Sequence, residues 1–238
     1  MITVVCWCWS TPGYRSKFTS ENVTILYNMV KRNTTVPFRF VCMTDEPERM
    51  EAHTPDEVEC HLLWPNPAPA YGGGKKPNCF VRLRSFAPEA AEIFGERFIW
   101  FDLDCVITGN IDHLLQDKSE FRIWCPDFER MPCNGSLLLH KTGTRRRIWE
   151  RFHPSRIDPE HGLKRASHLT GSDQAWIALN LKPIDKFFKQ VDGIYSYRSH
   201  LPANGRLPEE ARVVFFNGKE NPWSPNPSTL PWVQEHYR

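Results

Sequence analysis

Apolar residues along the first hundred positions fall in short runs whose period switches between that of a strand and that of a helix. Ile2 to Trp9 is a continuous run rich in strand-favouring residues, and Glu21 to Arg32 sets Val23, Leu26, Tyr27 and Val30 on one helical face. Phe38 to Met43 reads as the next strand, closed by Thr44-Asp45, and Val58, Cys60 and Leu62 alternate along another. Pro65 to Pro69, followed by Tyr71-Gly72-Gly73-Gly74, reads as a flexible loop; its glycines lack P-loop spacing and no Gly-Lys-Ser follows. Arg82, Leu83, Arg84 and Phe86 open a helical segment that leads to Phe98-Ile99-Trp100-Phe101. A strand that is apolar without alternation belongs in a sheet covered on both faces.

The second half is less regular. Phe121 to Cys125 and Ser136 to His140 read as strands, and Thr144 to Phe152 as a helix. Ser172 to Leu181 reads as a further helix, with Gly171 or Ser172 at its cap and Trp176, Leu179 and Asn180 along one side. Val213 to Phe216 is a last buried strand ending at Asn217-Gly218, and the proline-rich stretch Pro222 to Pro231 reads as a tail wrapped over the surface. No internal repeat is visible, and the whole predicts one α/β domain.

Composition narrows the partners. With 238 residues, of which 40% are hydrophobic, the chain can fill one core, and 30 basic against 28 acidic residues leave a formal charge of +2, so no global field marks a nucleic-acid or membrane binder. Arg145-Arg146-Arg147 is the dense basic run and reads as a solvated first helical turn. The opening residues lack the pattern of a signal peptide, and no apolar stretch approaches the ~20 residues of a transmembrane segment, so the expected compartment is the cytoplasm. Cys6, Cys8, Cys42, Cys60, Cys79, Cys105, Cys125 and Cys133 form no CxxC pair and have no histidine at zinc spacing, so they read as reduced core residues. Sequons at Asn22, Asn33 and Asn134 carry no meaning without secretion.

The candidate chemistry lies where the apolar strand stops. Phe98 to Phe101 runs directly into Asp102-Leu103-Asp104, and in an extended segment residues flanking a single position face the same side. Two carboxylates without a closed cage suit Mg²⁺ or Mn²⁺, which keep positions open for phosphate oxygens and water. The alternative is that one Asp caps the turn beginning near Thr108-Gly109-Asn110, but leaving two buried carboxylates unpaired costs several kcal/mol. Asp45, Asp102, Asp104 and Asn217 all fall at the carboxyl ends of strands, where open α/β sheets collect ligands.

At these residues the chain resembles a known family. DLDCVITGNIDHL, beginning at Asp102, is similar to the Asp-x-Asp segment of glycosyltransferases with the nucleotide-diphospho-sugar-binding (GT-A) fold, especially the glycogenin and bacterial galactosyltransferase (family 8-like) group and its prokaryotic and phage relatives. RLRSFAPE from Arg82, CNGSLLLH from Cys133, GSDQAW from Gly171 and FFNGKENPW from Phe215 resemble further blocks of that family, in the same order. The resemblance implies a Rossmann-like mixed sheet with flanking helices, comprising a nucleotide-binding half over 1–110, a sugar and acceptor half over 111–223, and a surface tail over 224–238.

It also implies roles. Asp102 and Asp104 would hold Mn²⁺ or Mg²⁺, with Asp102 also near the ribose, and Arg82 and Arg84 would meet the diphosphate or the donor sugar, unless Arg82 is a helix-surface charge. Asn134 and Asp173 would bond sugar hydroxyls and Gln174 would sit beside the anomeric carbon; the alternative for Asp173 is helix capping. Tyr14 and Arg15 become base or ribose contacts. In place of the family's third metal ligand, a His, this chain has Asn217, and in place of its Lys it has Asn221, with Lys219 as the substitute positive charge. Trp223, Trp149, Trp176 and Tyr197 read as packing residues before acceptor platforms. The expected activity is metal-dependent transfer from a nucleoside-diphosphate sugar, UDP-linked by resemblance, to a hydroxyl of a glycan, lipid-linked glycan or protein, with retention. Inversion would require a base such as Asp173. A catalytically weakened sugar-nucleotide-binding module and a haloacid-dehalogenase-like phosphatase, with Asp102 as nucleophile, are the alternatives.

Overall fold

The fold is known from a computed structural model that describes residues 1–10, 17–67, 78–126, 133–154 and 173–238. Its first half follows the alternating pattern closely. Strand β1 (Ile2–Cys8) leads through helix α1 (Ser20–Arg32) to β2 (Phe38–Thr44), and the short helix α2 (Pro47–Glu51) precedes β3 (Val58–Leu62). After a 3₁₀ helix over Cys79–Phe86 and the single-turn α3 (Ala91–Phe94) comes β4 (Arg97–Phe101). Strands β5 (Cys105–Ile107), β6 (Phe121–Trp124) and β7 (Asn134–Lys141) follow, with the single turn α4 (Asp112–Leu115) between the first two. Helices α5 (Arg147–Glu150) and α6 (Asp173–Leu179), strands β8 (Lys186–Phe188) and β9 (Ile194–Ser196), helix α7 (Tyr197–His200), strand β10 (Val213–Phe215) and helix α8 (Pro231–His236) complete the described chain.

Seven strands form one mixed sheet in the order β3-β2-β1-β4-β7-β6-β8, and β5, β10 and β9 form a small second sheet. β1 pairs in parallel with both β2 and β4, while β4 pairs antiparallel with β7. The chain therefore leaves β1 towards one side and returns at β4 on the other, which puts the topological switch point between their carboxyl ends. Both faces of β4 are buried, Ile99 and Phe101 in one apolar layer and Phe98 and Trp100 in the other, as a continuous apolar strand requires. β1 is divided in the same way, with Val4 and Cys6 on one side and Val5 and Trp7 on the other.

Several expectations are corrected. The helix expected over 144–152 is helical only at Arg147–Glu150, and Arg145, expected in a solvated turn, is buried, with its guanidinium bonded to Asp185 and 3.5 Å from Glu120. The tail is not wholly superficial: Pro231 starts α8, which buries Trp232 and Val233 against the main core, and Trp232 Nε1 donates to Gly205 O at 2.9 Å. None of the eight cysteines forms a disulfide, and six are buried. Among the described residues no helix is long and apolar enough to cross a membrane.

Candidate active site

The segment Asp102-Leu103-Asp104 is the crossing between the two sheets. Asp102 N–H donates to Ser136 O at 2.9 Å, extending the β4–β7 pairing, and Asp104 O accepts from Phe216 N–H at 2.8 Å, just beyond β10. Leu103 between them is buried. Rather than continuing as extended strand, the chain bends at Leu103 and Asp104, with one Asp tied to the Asn134–Ser136 backbone and the other to the Phe216–Asn217 segment. Asp45 marks the end of β2, two strands from β4, where its Oδ2 accepts the Ser10 N–H at 3.0 Å.

Arg82 is the centre of the site. It lies in the 3₁₀ helix whose first turn is capped by Asn78, Oδ1 accepting from Phe80 N–H at 3.3 Å. Nε and Nη2 donate to the two oxygens of Asp173 at 2.8 and 3.0 Å, and Nη1 donates to Asp102 Oδ1 at 2.7 Å. The side chains of Arg82 and Asp173 are 7% and 0% exposed, whereas that of Asp102 is 28% exposed, so the carboxylate at the end of β4 is the open corner of the triad. A planar guanidinium supplies such a fork, which an ammonium does not.

The electrostatics follow from one cation set against two carboxylates. Burial lowers the proton affinity of Arg82, but the charges of Asp173 and Asp102 outweigh it and hold the guanidinium firmly protonated. Burial pushes the Asp102 carboxyl up; the Arg82 charge and a bond from Ser136 oppose the shift, and the Asp173 charge adds to it. A further cation near Asp102 would relieve that excess negative charge.

β7 supplies the wall. Trp100 Nε1 donates to Gly135 O at 2.8 Å, Arg82 Nη1 reaches the same oxygen at 3.3 Å, and the guanidinium lies 5.4 Å from the Trp100 ring. A Cβ at Gly135 would sit 2.8 Å from Arg82 Nη2 and 3.5 Å from each Asp173 oxygen. Gly135 N–H donates to Gln174 Oε1 at 3.2 Å, and Asn134 Oδ1 accepts the Ser136 N–H at 2.8 Å. Asp173, the first residue of α6, thus acts inward as an ion-pair partner, where the helix amino terminus also favours its charge.

The sequence-derived candidates therefore divide into two groups. Arg82, Asp102, Asn134, Asp173 and Gln174 converge. Asn217 and Lys219 line a cavity of about 280 Å³ with Tyr197, Arg198, Phe216 and Glu220. Arg84 goes elsewhere: its guanidinium lies 6.0 Å from the Trp64 ring and 5.9 Å from Trp149, with Glu89 at 3.7 Å. A 3₁₀ helix turns about 240° over two residues, so Arg82 and Arg84 do not share a face. Trp176 is buried, with Nε1 donating to Ile148 O at 2.7 Å, and Trp223 packs edge-on to Phe18 at 5.8 Å. Asn221 is buried, and its N–H donates to Ser224 Oγ at 2.9 Å. Tyr14, Arg15, the glycine loop, Gly171 and Ser172 lie outside the described residues.

Gly135, Ser136, Ser196 and Arg198 were not singled out from the sequence. The signal for Gly135 was present, because a glycine inside a strand marks a close approach by another group.

As donors, Asp102 and Asp104 have the hard carboxylate chemistry that Mg²⁺ or Mn²⁺ requires. Asn217 fits less well, because its Oδ1 already accepts the Ser196 hydroxyl at 2.6 Å. Among the described residues no three His, Cys, Asp or Glu side chains form a metal-ligand cluster.

No protein-family profile and no curated protein sequence matches the chain. Solved structures do. The galactosyltransferase LgtC, in complex with donor and acceptor sugar analogues, superposes with a TM-score of 0.61 over 98% of this chain and 94% of its own, at 11% identity. The fold is that of these glycosyltransferases. The bifunctional glycosyltransferase WbbM matches at a TM-score of 0.55 and 11% identity over 98% of this chain and 50% of its own. GlyE of Streptococcus pneumoniae matches at 0.57 and 10% identity over 99% of this chain and 63% of its own.

Proposed function

We propose that the chain is a metal-dependent glycosyltransferase that moves a sugar from a nucleoside diphosphate, UDP in the first instance, to an acceptor hydroxyl on a glycan, a lipid-linked glycan or a protein. The observation that carries this reading is the buried Arg82–Asp102–Asp173 triad at the carboxyl end of β4, in a chain with the fold of sugar-nucleotide transferases. Asp102 and Asp104 would hold Mn²⁺ or Mg²⁺. When bound, such an ion neutralises negative charge growing on a leaving diphosphate. Arg82 keeps Asp102 and Asp173 in place; Asn134 and Gln174 would present polar groups to sugar hydroxyls, whereas Asp173, fully buried with both oxygens on the Arg82 fork, would position Arg82. An active-site Gln was the target of a Gln-to-Glu variant in LgtC, in keeping with a role for Gln174 here.

The geometry favours retention. Both Asp173 oxygens accept from the Arg82 fork, so that carboxylate is poorly placed to remove an acceptor proton. The leaving phosphate is then the base. The same pairing weakens the phosphatase alternative, since Asp102 Oδ1 is held by a guanidinium and would be a poor nucleophile. The engaged oxygen of Asn217 favours one second reading, a binding module with a weakened metal shell. Eight cysteines outside any disulfide suit a reducing compartment such as the cytoplasm.

A thermal-shift screen of UDP-, GDP-, ADP- and CMP-sugars with Mg²⁺ and Mn²⁺ tests the proposal. A shift that requires nucleotide and metal together supports it. No shift with any donor counts against it, and binding without turnover over a panel of acceptors selects the module.

A further inference from the structure

The outer edge of the main sheet carries apolar side chains and unpaired positive charge together. β8 is the last strand of the seven and pairs only with β6, so its other edge has no partner strand among the described residues. Six large apolar side chains are exposed among those residues, and three of them fall on the end of α6 and the turns that flank β8: Leu179, Ile184 and Val191, at 57%, 72% and 91% exposure. Single apolar residues on a surface need no explanation, but three along one edge do. Lys182, Lys186 and Lys189 are exposed between them, and none pairs with a carboxylate among the described residues.

The acids of the same segment are already engaged. Asp185 accepts from Arg145 Nε at 3.1 Å and from Lys182 N–H at 2.7 Å, and Asp192 accepts from Arg122 Nη2 at 2.8 Å and from Lys189 N–H at 2.9 Å. On the neighbouring elements Glu120 and Glu150 each lie 3.5 Å from an arginine, Arg145 and Arg146. The lysine charge along the edge therefore has no internal counterpart.

Lysine on an edge strand guards against pairing with another chain, which accounts for Lys186. It does not account for Ile184 and Val191, which leave apolar surface in water on either side of that guard. A second copy is a poor occupant, because antiparallel pairing of two β8 edges about a two-fold sets lysines against lysines. A protein partner is matched less well than lipid, since protein interfaces are rich in aromatic residues and arginine and depleted in lysine. Lysine interleaved with aliphatic side chains suits anionic headgroups: the ammonium reaches lipid phosphate on a flexible stem while Leu, Ile and Val enter the boundary with the acyl chains.

We propose that the edge from Leu179 to Val191 docks the protein onto an anionic lipid surface. Nothing in this proposal depends on the transferase reading, because neither the lysines nor the exposed aliphatic residues belong to the Asp102 site. 

The test is flotation of the full chain with vesicles of phosphatidylcholine alone and of phosphatidylcholine with about 30% phosphatidylserine. The variants are the lysine set Lys182→Gln/Lys186→Gln/Lys189→Gln, the aliphatic pair Ile184→Ser/Val191→Ser, and, as a control on the opposite edge strand β3, Leu62→Ser. All these side chains are exposed, so the fold should tolerate each change. The wild type should bind the anionic vesicles and not the neutral ones. Each lysine near such a surface contributes roughly fivefold, so the lysine set should weaken binding by about a hundredfold. Raising salt from about 0.1 M to about 1 M, which shortens the screening length from ~10 Å to ~3 Å, should weaken the wild type in the same direction. The aliphatic pair should weaken binding several-fold at unchanged charge, and Leu62→Ser should bind as the wild type does. A wild type that ignores anionic vesicles overturns the proposal, as does binding that either the lysine set or the aliphatic pair leaves unchanged. Retention on immobilised polyglutamate without vesicle binding overturns it in favour of an acidic protein face. A dimer that the lysine set strengthens, again without vesicle binding, overturns it in favour of a second copy.

Discussion

Replacing Arg82 with Met removes the single cation that two carboxylates share. Asp173 is fully buried and loses two hydrogen bonds, of 2.8 and 3.0 Å, while Asp102 loses one of 2.7 Å. Breaking a buried pair from one side costs about 3–5 kcal/mol, because the remaining charge stays out of water uncompensated. Asp173 at 0% exposure belongs near the top of that range, whereas Asp102, at 28%, regains part of its hydration. The deficit should depend on pH. Burial already pushes the Asp102 carboxyl up, and without Arg82 nothing of equal strength opposes that shift. A carboxyl whose folded pKa is raised takes up a proton more readily when folded, so the folded state gains relative stability as pH falls towards the unfolded value near 4. Urea denaturation at pH 7.5 and at pH 5 should therefore show the variant losing several kcal/mol at the higher pH and distinctly less at the lower. Adding Asp173→Asn to Arg82→Met should recover part of the loss at pH 7.5, since the buried charge is then gone. A loss below about 1 kcal/mol at pH 7.5, as expected of an exposed ion pair, would refute the buried triad.

Two further changes probe the site and the core. Gly135→Ala places a Cβ 2.8 Å from Arg82 Nη2, so a guanidinium held by Asp173 and Asp102 must shift; it should cost about 1–3 kcal/mol in denaturation and depress donor turnover with it. His140 is fully buried, with no hydrogen-bond partner for either ring nitrogen among the described residues, and burial, aided by the charges of Arg145 and Arg97, pushes its pKa down to about 3. The folded state keeps it neutral while the unfolded chain protonates near 6.5, so its contribution is present above that pH and is lost as pH falls towards 3. At pH 5 the loss is roughly 2 kcal/mol, about 1.5 pH units at 1.36 kcal/mol each, and His140→Leu should remove that dependence in melting curves at pH 5 and 7.5.

The strands that carry the site were readable because strands buried on both faces are continuous apolar runs, and β1, β2 and β4 have that form. The small sheet was mostly not, because β5, β9 and β10 are three residues each, too short to show a period. Cys105–Ile107 in particular follows directly on Asp104, where the chain has bent and changed sheets. Helix α8 was hidden by prolines taken as tail, yet Pro231 is at the first helical turn, where its fixed φ and missing N–H are harmless. Within the site, residue types and order pointed to Arg82, Asp102 and Asp173. What the chain order could not reveal was that one guanidinium serves both carboxylates, or that Ser196 orients the Asn217 amide, because each depends on contacts between residues far apart in sequence.

Metal-dependent transfer at Asp102 and Asp104 is tested most directly by donor consumption in wild type and Asp104→Asn, each with Mn²⁺ and with EDTA, using the sugar nucleotide that gives the largest thermal shift. Asp104→Asn is the cleaner variant because Asp102 is also a partner of Arg82. The wild type should consume donor only with metal, and the folded variant should be slower by roughly a hundredfold or more, the scale of losing charge stabilisation in the bond-breaking step. Equal rates in wild type and variant, or full activity in EDTA, would contradict the account.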